Sequence, residues 1–223
     1  MSTTRTFIIG DIHGCAKTFR KMVIEEIQLK QEDVLYLLGD YIDRGPDSKG
    51  VIDFILELRD AGMQVFTLRG NHEQLLIESV NSPGVERMWL RNGGDKTLNS
   101  FGVESVREIP AKYGHFFLNT LFYYETDDFL LVHAGLNCEA EDPLQDKMSM
   151  MWSRNFNDEK NYLQGRILVH GHTPIPRDLL LSQKFESPLN LDGGCVYRGF
   201  EGKGSLFAFD FYARTFIEVK NID

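Results

Sequence analysis

Gly39-Asp40-Tyr41-Ile42-Asp43-Arg44-Gly45 follows an apolar run, Val34-Leu35-Tyr36-Leu37-Leu38, in this 223-residue chain. The run is short, aliphatic and free of polar alternation, as a strand buried on both faces of a sheet is. Two carboxylates and a guanidinium therefore fall in the loop at a strand's C-terminal edge, where open α/β sheets place their chemistry. A turn accounts for the glycines and for Pro46. It does not call for Asp, Asp and Arg within five residues.

The same pattern lies on both sides of this stretch. Thr6-Phe7-Ile8-Ile9 reads as a short buried strand ending in Gly10-Asp11-Ile12-His13-Gly14. Phe19, Met22, Val23 and Ile27 then recur at helical spacing. Asp47 or Ser48 is placed to cap the next helix, whose apolar face is Val51, Ile52, Ile55, Leu56 and Leu58, and Gly62 ends it. Gln64-Val65-Phe66-Thr67-Leu68 is a third strand, ending in Arg69-Gly70-Asn71-His72-Glu73. Three β-loop-α units argue for an α/β sheet. Residues 81–118 change character and predict a small inserted helical cap. Beyond it, 121–124 and 129–132 read as a hairpin, and 167–169 and 189–191 as strands with a loop-rich stretch to Gln164 before them. A closing hairpin pairs 205–211 with 215–219. No linker is evident, so residues 1–223 are expected to form one domain of two packed sheets flanked by helices.

Composition narrows the function. Hydrophobic residues make up 42% of the chain, enough for a core, and the net charge is −9. That balance argues against nucleic acid or an anionic membrane as partner. No apolar run approaches a membrane span, and Met1–Thr6 lacks the regions of a signal peptide. Cys15, Cys138 and Cys195 are odd in number and widely spaced, which suits a reducing, cytoplasmic compartment.

The polar residues at the strand ends are Asp11, His13, Asp40, Asn71, His133 and His172. This carboxylate, imidazole and amide set, with no thiolate, suits Mn²⁺, Fe or Zn²⁺ better than Ca²⁺. Six ligands exceed what one ion with open positions needs. They suit two divalent ions sharing a carboxylate, and such pairs, about 3.5–4 Å apart, activate water and clamp phosphoryl oxygens. Each residue alone has a plain structural reading: a turn aspartate, a helix-capping asparagine, a strand-end histidine. Gly-Asp-x-His-Gly and Gly-Asp-x-x-Asp-Arg-Gly are each expected by chance in roughly one chain per thousand of this length, or fewer.

These motifs, with Gly70-Asn71-His72-Glu73, His133-Ala134-Gly135 and His170-Gly171-His172-Thr173, resemble the PPP-type metal-dependent serine/threonine phosphatases of the calcineurin-like metallophosphoesterases. The bacterial and phage branch is the nearest match, carried also by Trp89, Asn92-Gly93-Gly94 and Met151-Trp152-Ser153-Arg154. The resemblance implies a four-layer αββα sandwich. It implies one metal, most simply Mn²⁺, on Asp11, His13 and Asp40, and a second on Asp40, Asn71, His133 and His172.

The expected reaction is phosphomonoester hydrolysis on a phosphoprotein or small phosphomonoester, by a monomer, with metal-activated hydroxide as nucleophile. His72 is expected as general acid, held by Asp43. Arg44 and Arg154 are expected to grip phosphate oxygens, with Asn71 beside them. His170 reads as a strand residue, and Cys195 as a neighbour of the site without a catalytic role. No Cys-x5-Arg or Gly-x4-Gly-Lys-Ser/Thr occurs, which excludes a cysteine-dependent phosphatase and argues against a P-loop enzyme. Two rivals remain: a diadenosine polyphosphate hydrolase, and a phosphoprotein-binding module with a dead site.

Overall fold

The computed structural model describes residues 4–155 and 159–223. Met1–Thr3, part of the N-terminal segment read above, and residues 156–158 of the loop-rich stretch lie outside the described residues. A five-stranded sheet runs in the order β3 (Gln64–Thr67), β2 (Val34–Leu37), β1 (Thr6–Ile9), β8 (Ser205–Asp210), β9 (Thr215–Lys220). The first three strands are mutually parallel and the closing hairpin is antiparallel. A second sheet has the order β4 (Tyr123–Glu125), β5 (Phe129–Val132), β6 (Ile167–His170), β7 (Leu189–Asn190), parallel except for β4.

Side chains alternate across each strand, and this separates three cores. Ile8, Tyr36 and Leu38 point inward against Leu131, Val169 and Leu189, filling the space between the sheets. Phe7, Ile9, Leu35 and Leu37 point outward to helices α1 (Ala16–Lys21) and α2 (Ser48–Asp60). Leu130, Val132 and Leu168 cover the far side with Met150 of α7 (Lys147–Trp152) and Leu163 of α8 (Glu159–Leu163). The layers are thus helix, sheet, sheet, helix, the αββα sandwich expected from sequence. An apolar run without alternation was the correct sign, because both faces of β1 and β2 are dry.

Local chemistry sets the boundaries. Asp47 caps α2 by accepting the Gly50 N–H at 2.8 Å. The helix begun by α1 continues as a π-helical turn, Met22–Ile27. Two expectations are corrected. The first strand of the predicted 121–124 hairpin starts two residues later, because Leu121 pairs with the end of β3 instead, its N–H on Thr67 O and its C=O on the Arg69 N–H. The loop-rich stretch contains α7 and α8, too short for a helical period to stand out.

Residues 81–118 are helical: α4 (Pro83–Trp89), a π-helical turn, α5 (Asp95–Phe101) and α6 (Ala111–Leu118), following α3 (Asn71–Ser79). Trp89, Leu98, Tyr113, Phe116 and Phe117 join the outer core beside α2 and β3. Burial of a side chain as large as Trp89, fully covered, contributes about 3 kcal/mol. Among the described residues, no helix is long and apolar enough to cross a membrane.

Candidate metal centre

The ends of β1, β2, β3, β5 and β6 converge, and with them the strand-end motifs. His13, Asp40, Asn71 and His133 are all buried. His133 Nε2 lies 3.4 Å from Asp40 Oδ2 and 3.1 Å from Asn71 Oδ1. His172 Nδ1 is 3.0 Å from the same Asn71 oxygen. His13 Nε2 approaches Asp40 Oδ2 at 3.5 Å. Two groups with cation-binding geometry follow: Asp40 with His133 and His172, and Asp40 with His13 and His72. Asp40 belongs to both, as a shared carboxylate requires.

Asp11 enters neither group. Its carboxylate accepts the backbone N–H of His172 at 3.1 and 3.2 Å, and His72 Nε2 stands 4.0 Å from Asp40 Oδ2. The Arg44 guanidinium lies 2.6 Å from His13 Nε2, so a cationic group already faces that imidazole.

The imidazoles are fixed from behind. His13 Nδ1 meets Ile42 O at 2.8 Å and His133 Nδ1 meets Leu38 O at 2.9 Å. Nδ1–H donation to those carbonyls leaves the Nε2 lone pair of His133 toward Asp40 and Asn71 and that of His13 toward Arg44 and Asp40, the arrangement by which outer partners orient metal-binding histidines. Asn71 Oδ1, an acceptor, faces two imidazole nitrogens. Lone pairs converging in a dry site are best reconciled by a cation, so these residues fit a metal. His172 Nε2 is buried without a partner.

Electrostatics agree. Burial opposes the ionisation of Asp40, yet His133 and His72 outweigh it and hold its pKa well below the usual carboxylate range. Burial, with Asp192 adding to it, pushes Asp11 up. Burial keeps His13 well below its usual value and lowers His172 to about 3 and His170 to about 4. Neutral imidazole is the ligating form. Burial also opposes charge on His133, but Asp40, Asp11 and Glu73 raise it to about 10. The field that draws a proton there draws a metal cation as well.

The backbone is shaped to hold these groups. Nine described non-glycine residues have positive φ, and five of them are His13, Asp40, Asp43, Arg44 and His172. Such strain gathers at functional sites because the surroundings over-determine it. Glu73, which sequence places in the third strand-end motif without a role, is one cause. Its fully buried carboxylate accepts the N–H groups of Asp40 (2.8 Å), Tyr41 (2.9 Å) and Gly70 (2.9 Å). Gly70 is required there, since a Cβ would stand 2.1 Å from Asp40 Oδ1.

His72 and Asp43 are paired as expected, Nδ1 to Oδ2 at 2.6 Å, and both are buried. Burial works against charge on His72, but Asp40 and then Asp43 overcome it and raise its pKa. Asp43 also accepts Trp89 Nε1 at 2.9 Å and Thr97 Oγ1 at 2.6 Å, while its N–H is shared by Ser48 and Thr97 hydroxyls. The helical insert therefore supplies the support of the dyad. Thr97 and Ser48 carry no motif of their own and were not legible as site residues. Arg154 is exposed, and its charge acts on His172. The Trp152 ring lies 6.2 Å from that of His172. His170 ends β6 with its ring on Gly171 O, as a strand residue would.

A family profile for calcineurin-like phosphoesterases matches residues 4–212. The chain belongs to this family. A calcineurin-like phosphoesterase of this kind is a metal-dependent phosphoester hydrolase, and the family implies a divalent metal pair. Among relatives, "Serine/threonine-protein phosphatase 1" of Salmonella typhimurium is 42% identical over 89 residues, 40% of this chain and 38% of that one. "Bis(5'-nucleosyl)-tetraphosphatase PrpE [asymmetrical]" of Anoxybacillus flavithermus is 26% identical over 219 residues, 86% of each chain. The phosphoesterase thus spans well under half of the first relative and most of the second. A solved cold-active protein-tyrosine phosphatase from a psychrophilic Shewanella species superimposes with TM-score 0.70 at 18% identity, covering 98% of this chain and 81% of that one. That likeness is one of fold.

Proposed function

We propose that this phosphoesterase is a dinuclear phosphomonoesterase acting on phosphoproteins, serine/threonine-directed, with His72 as general acid and Asp43 as its support. The observation that carries this reading is the buried His72–Asp43 pair beside the Asp40 groups. Asp11, His13 and Asp40 would hold one ion and Asp40, Asn71, His133 and His172 the other, with Mn²⁺ as the simplest choice and Fe or Zn²⁺ as alternatives. When bound, such a pair activates water and neutralises phosphoryl charge.

The side chains divide the remaining work. With Nδ1 committed to Asp43, His72 presents Nε2 and its proton to the departing oxygen. Asp43 keeps the imidazole oriented, and its own donors Trp89 and Thr97 fix it in turn. Arg44 exchanges His13 for two oxygens of the phosphate, a bidentate partner better suited to a guanidinium. Arg154, exposed at the rim, closes on the phosphate from the His172 side. Net charge of −9 supports a monomer with neither nucleic acid nor membrane as partner, and the three widely spaced cysteines suit the cytoplasm.

A second reading is hydrolysis of dinucleoside polyphosphates, favoured by the 86% coverage of the Anoxybacillus enzyme. Turnover of a phosphoserine or phosphothreonine peptide against diadenosine tetraphosphate separates the two. His72→Asn with both metals retained and kcat lowered about 10²-fold or more supports the acid assignment; loss of metal would make His72 a ligand and overturn it.

A further inference from the structure

The loop after β7 closes a pocket that the metal centre does not use. It has a volume of about 330 Å³ and is lined by Arg177, Arg198, Lys203 and Lys220, with Glu218 as the one carboxylate among its lining residues. Four cations around one concavity stand out in a chain of net charge −9.

Three nearby acids are already engaged, and Glu201 of the 199–204 loop is exposed to solvent. Glu218 accepts Arg177 Nε at 2.8 Å and the Ser205 hydroxyl at 2.8 Å. Asp178 is paired with Arg177. Asp223 accepts the N–H groups of Lys17 and Thr18, each at 2.9 Å, at the start of α1. Arg198 is held by the Asp223 backbone carbonyl at 2.9 Å. Among the described residues, neither Lys203 nor Lys220 forms an ion pair. The two arginines are thus part of the wall, while the two lysines face the space without a counter-charge.

Glycines shape the loop that lines the pocket. Gly199, Gly202 and Gly204 have φ of +90°, +72° and +98°, values that side chains rarely tolerate. A single side chain spans from the pocket toward the metal centre. One ring, that of Tyr197, lies 5.8 Å from the Arg44 guanidinium carbon and 5.7 Å from Lys203 Nζ. The cation expected to receive the scissile phosphate and the nearest lysine of the pocket flank the same side chain.

We propose that this pocket is a second anion subsite, which takes a phosphate group beyond the one being hydrolysed. The position of the subsite rests on the reading of Arg44 as the scissile-phosphate ligand, whereas its capacity to bind an anion does not. Phosphate chemistry suits it because several donors and positive charges converge on one small space. The phosphate has two sources: a linked phosphate of a polyphosphate substrate, or free inorganic phosphate that binds beside the active site.

The test uses sulfate, which mimics phosphate, titrated into the ¹⁵N-labelled protein loaded with diamagnetic Zn²⁺ at constant ionic strength. Saturable shifts of the amides of residues 199–204 are expected. In Lys203→Gln/Lys220→Gln the apparent Kd at those amides rises about tenfold, with an unchanged Tm and with p-nitrophenyl phosphate turnover retained. Absence of saturable shifts at 199–204, or equal affinity in the variant, overturns the proposal. If Arg44→Ala leaves those shifts intact but abolishes turnover, the subsite and the Arg44 reading both stand. If it leaves shifts and turnover intact, only the Arg44 reading falls. Steady-state kinetics then identifies the source. A higher KM for diadenosine tetraphosphate in the double variant points to linked phosphates. Weaker inhibition by inorganic phosphate, with that KM unchanged, points to free phosphate.

Discussion

Thr97→Val probes how the helical insert governs the reaction. Valine nearly matches threonine in shape, so the change removes a hydroxyl and opens almost no cavity. The hydroxyl is fully buried. It donates to Asp43 Oδ1 at 2.6 Å and accepts the Asp43 N–H at 3.0 Å. That N–H keeps its second acceptor, the Ser48 hydroxyl at 3.0 Å, while Ser48 loses its own 2.9 Å contact with the Thr97 hydroxyl, so the loss falls on the carboxylate and on Ser48. A hydrogen bond to a charged group contributes about 1.5–3 kcal/mol, so we expect a destabilisation of about 2 kcal/mol. For a chain of this size that lowers Tm by roughly 4–8 °C. Burial already pushes Asp43 upward against the donors that hold it down, His72, Thr97 and Trp89. Removal of one donor frees the carboxylate to turn and loosens His72, so kcat should fall about tenfold, part of the 10²–10⁴ that a general acid supplies. The assay is turnover of p-nitrophenyl phosphate at saturating Mn²⁺, with bound metal measured in parallel, for Thr97→Val, Asp43→Asn and the double variant. If Thr97 acts through Asp43, adding Thr97→Val to Asp43→Asn changes kcat little. Full additivity, or a lowered Tm with kcat within twofold of wild type, would refute this reasoning and leave Thr97 as a packing residue.

Three further outcomes are expected. Asp40→Asn should abolish binding of both metals, as measured by metal analysis after gel filtration, whereas Asp43→Asn should retain both and lower kcat; equal metal loss in the two would reduce the 39–45 loop to a ligand cluster. Trp89→Phe removes the Nε1–H donor and leaves a cavity of roughly 40 Å³, about 1 kcal/mol at ~24 cal/mol per Å³, so it should lower both Tm and kcat while metal content stays constant. Asp33 precedes β2, at the end opposite the loop that carries Asp40; burial raises its pKa, but the bidentate contact with Arg5 outweighs this and holds it below the usual value. A depressed folded pKa gives stability that is present above the unfolded value of about 3.9 and is lost as pH falls through the folded one. The Tm gap between wild type and Asp33→Asn should therefore be wide at neutral pH and close below about pH 4, and a gap that does not change with pH would contradict the assignment.

Much of this protein is legible in the chain because its chemistry is local. Each of the strands β1, β2 and β3 is a few apolar residues followed at once by the loop that carries Asp11, Asp40 or Asn71. The strand direction then delivers all three loops to one edge of the sheet. The short helices α7 and α8 and the 121–124 boundary were not legible, since a turn or two of helix carries no clear period and the pairing of Leu121 with β3 is a contact between distant residues.

For the loop at residues 39–45, sequence alone determined the strand before it, the two carboxylates and the arginine. Tertiary structure decided what surrounds each one. Asp40 is shared by imidazoles brought in from four other segments, and Glu73 holds its backbone. Asp43 is gripped by Trp89 and Thr97, more than forty residues away, from a helical insert whose sequence gives neither residue this partner. Arg44 lies against His13 and beside Tyr197, whose ring also meets Lys203 of a basic pocket built from residues beyond position 176. Spacing along a chain sets which residues share a loop. Which charges meet is set by burial, because only in the folded interior are these groups desolvated and close enough to shift one another's protons.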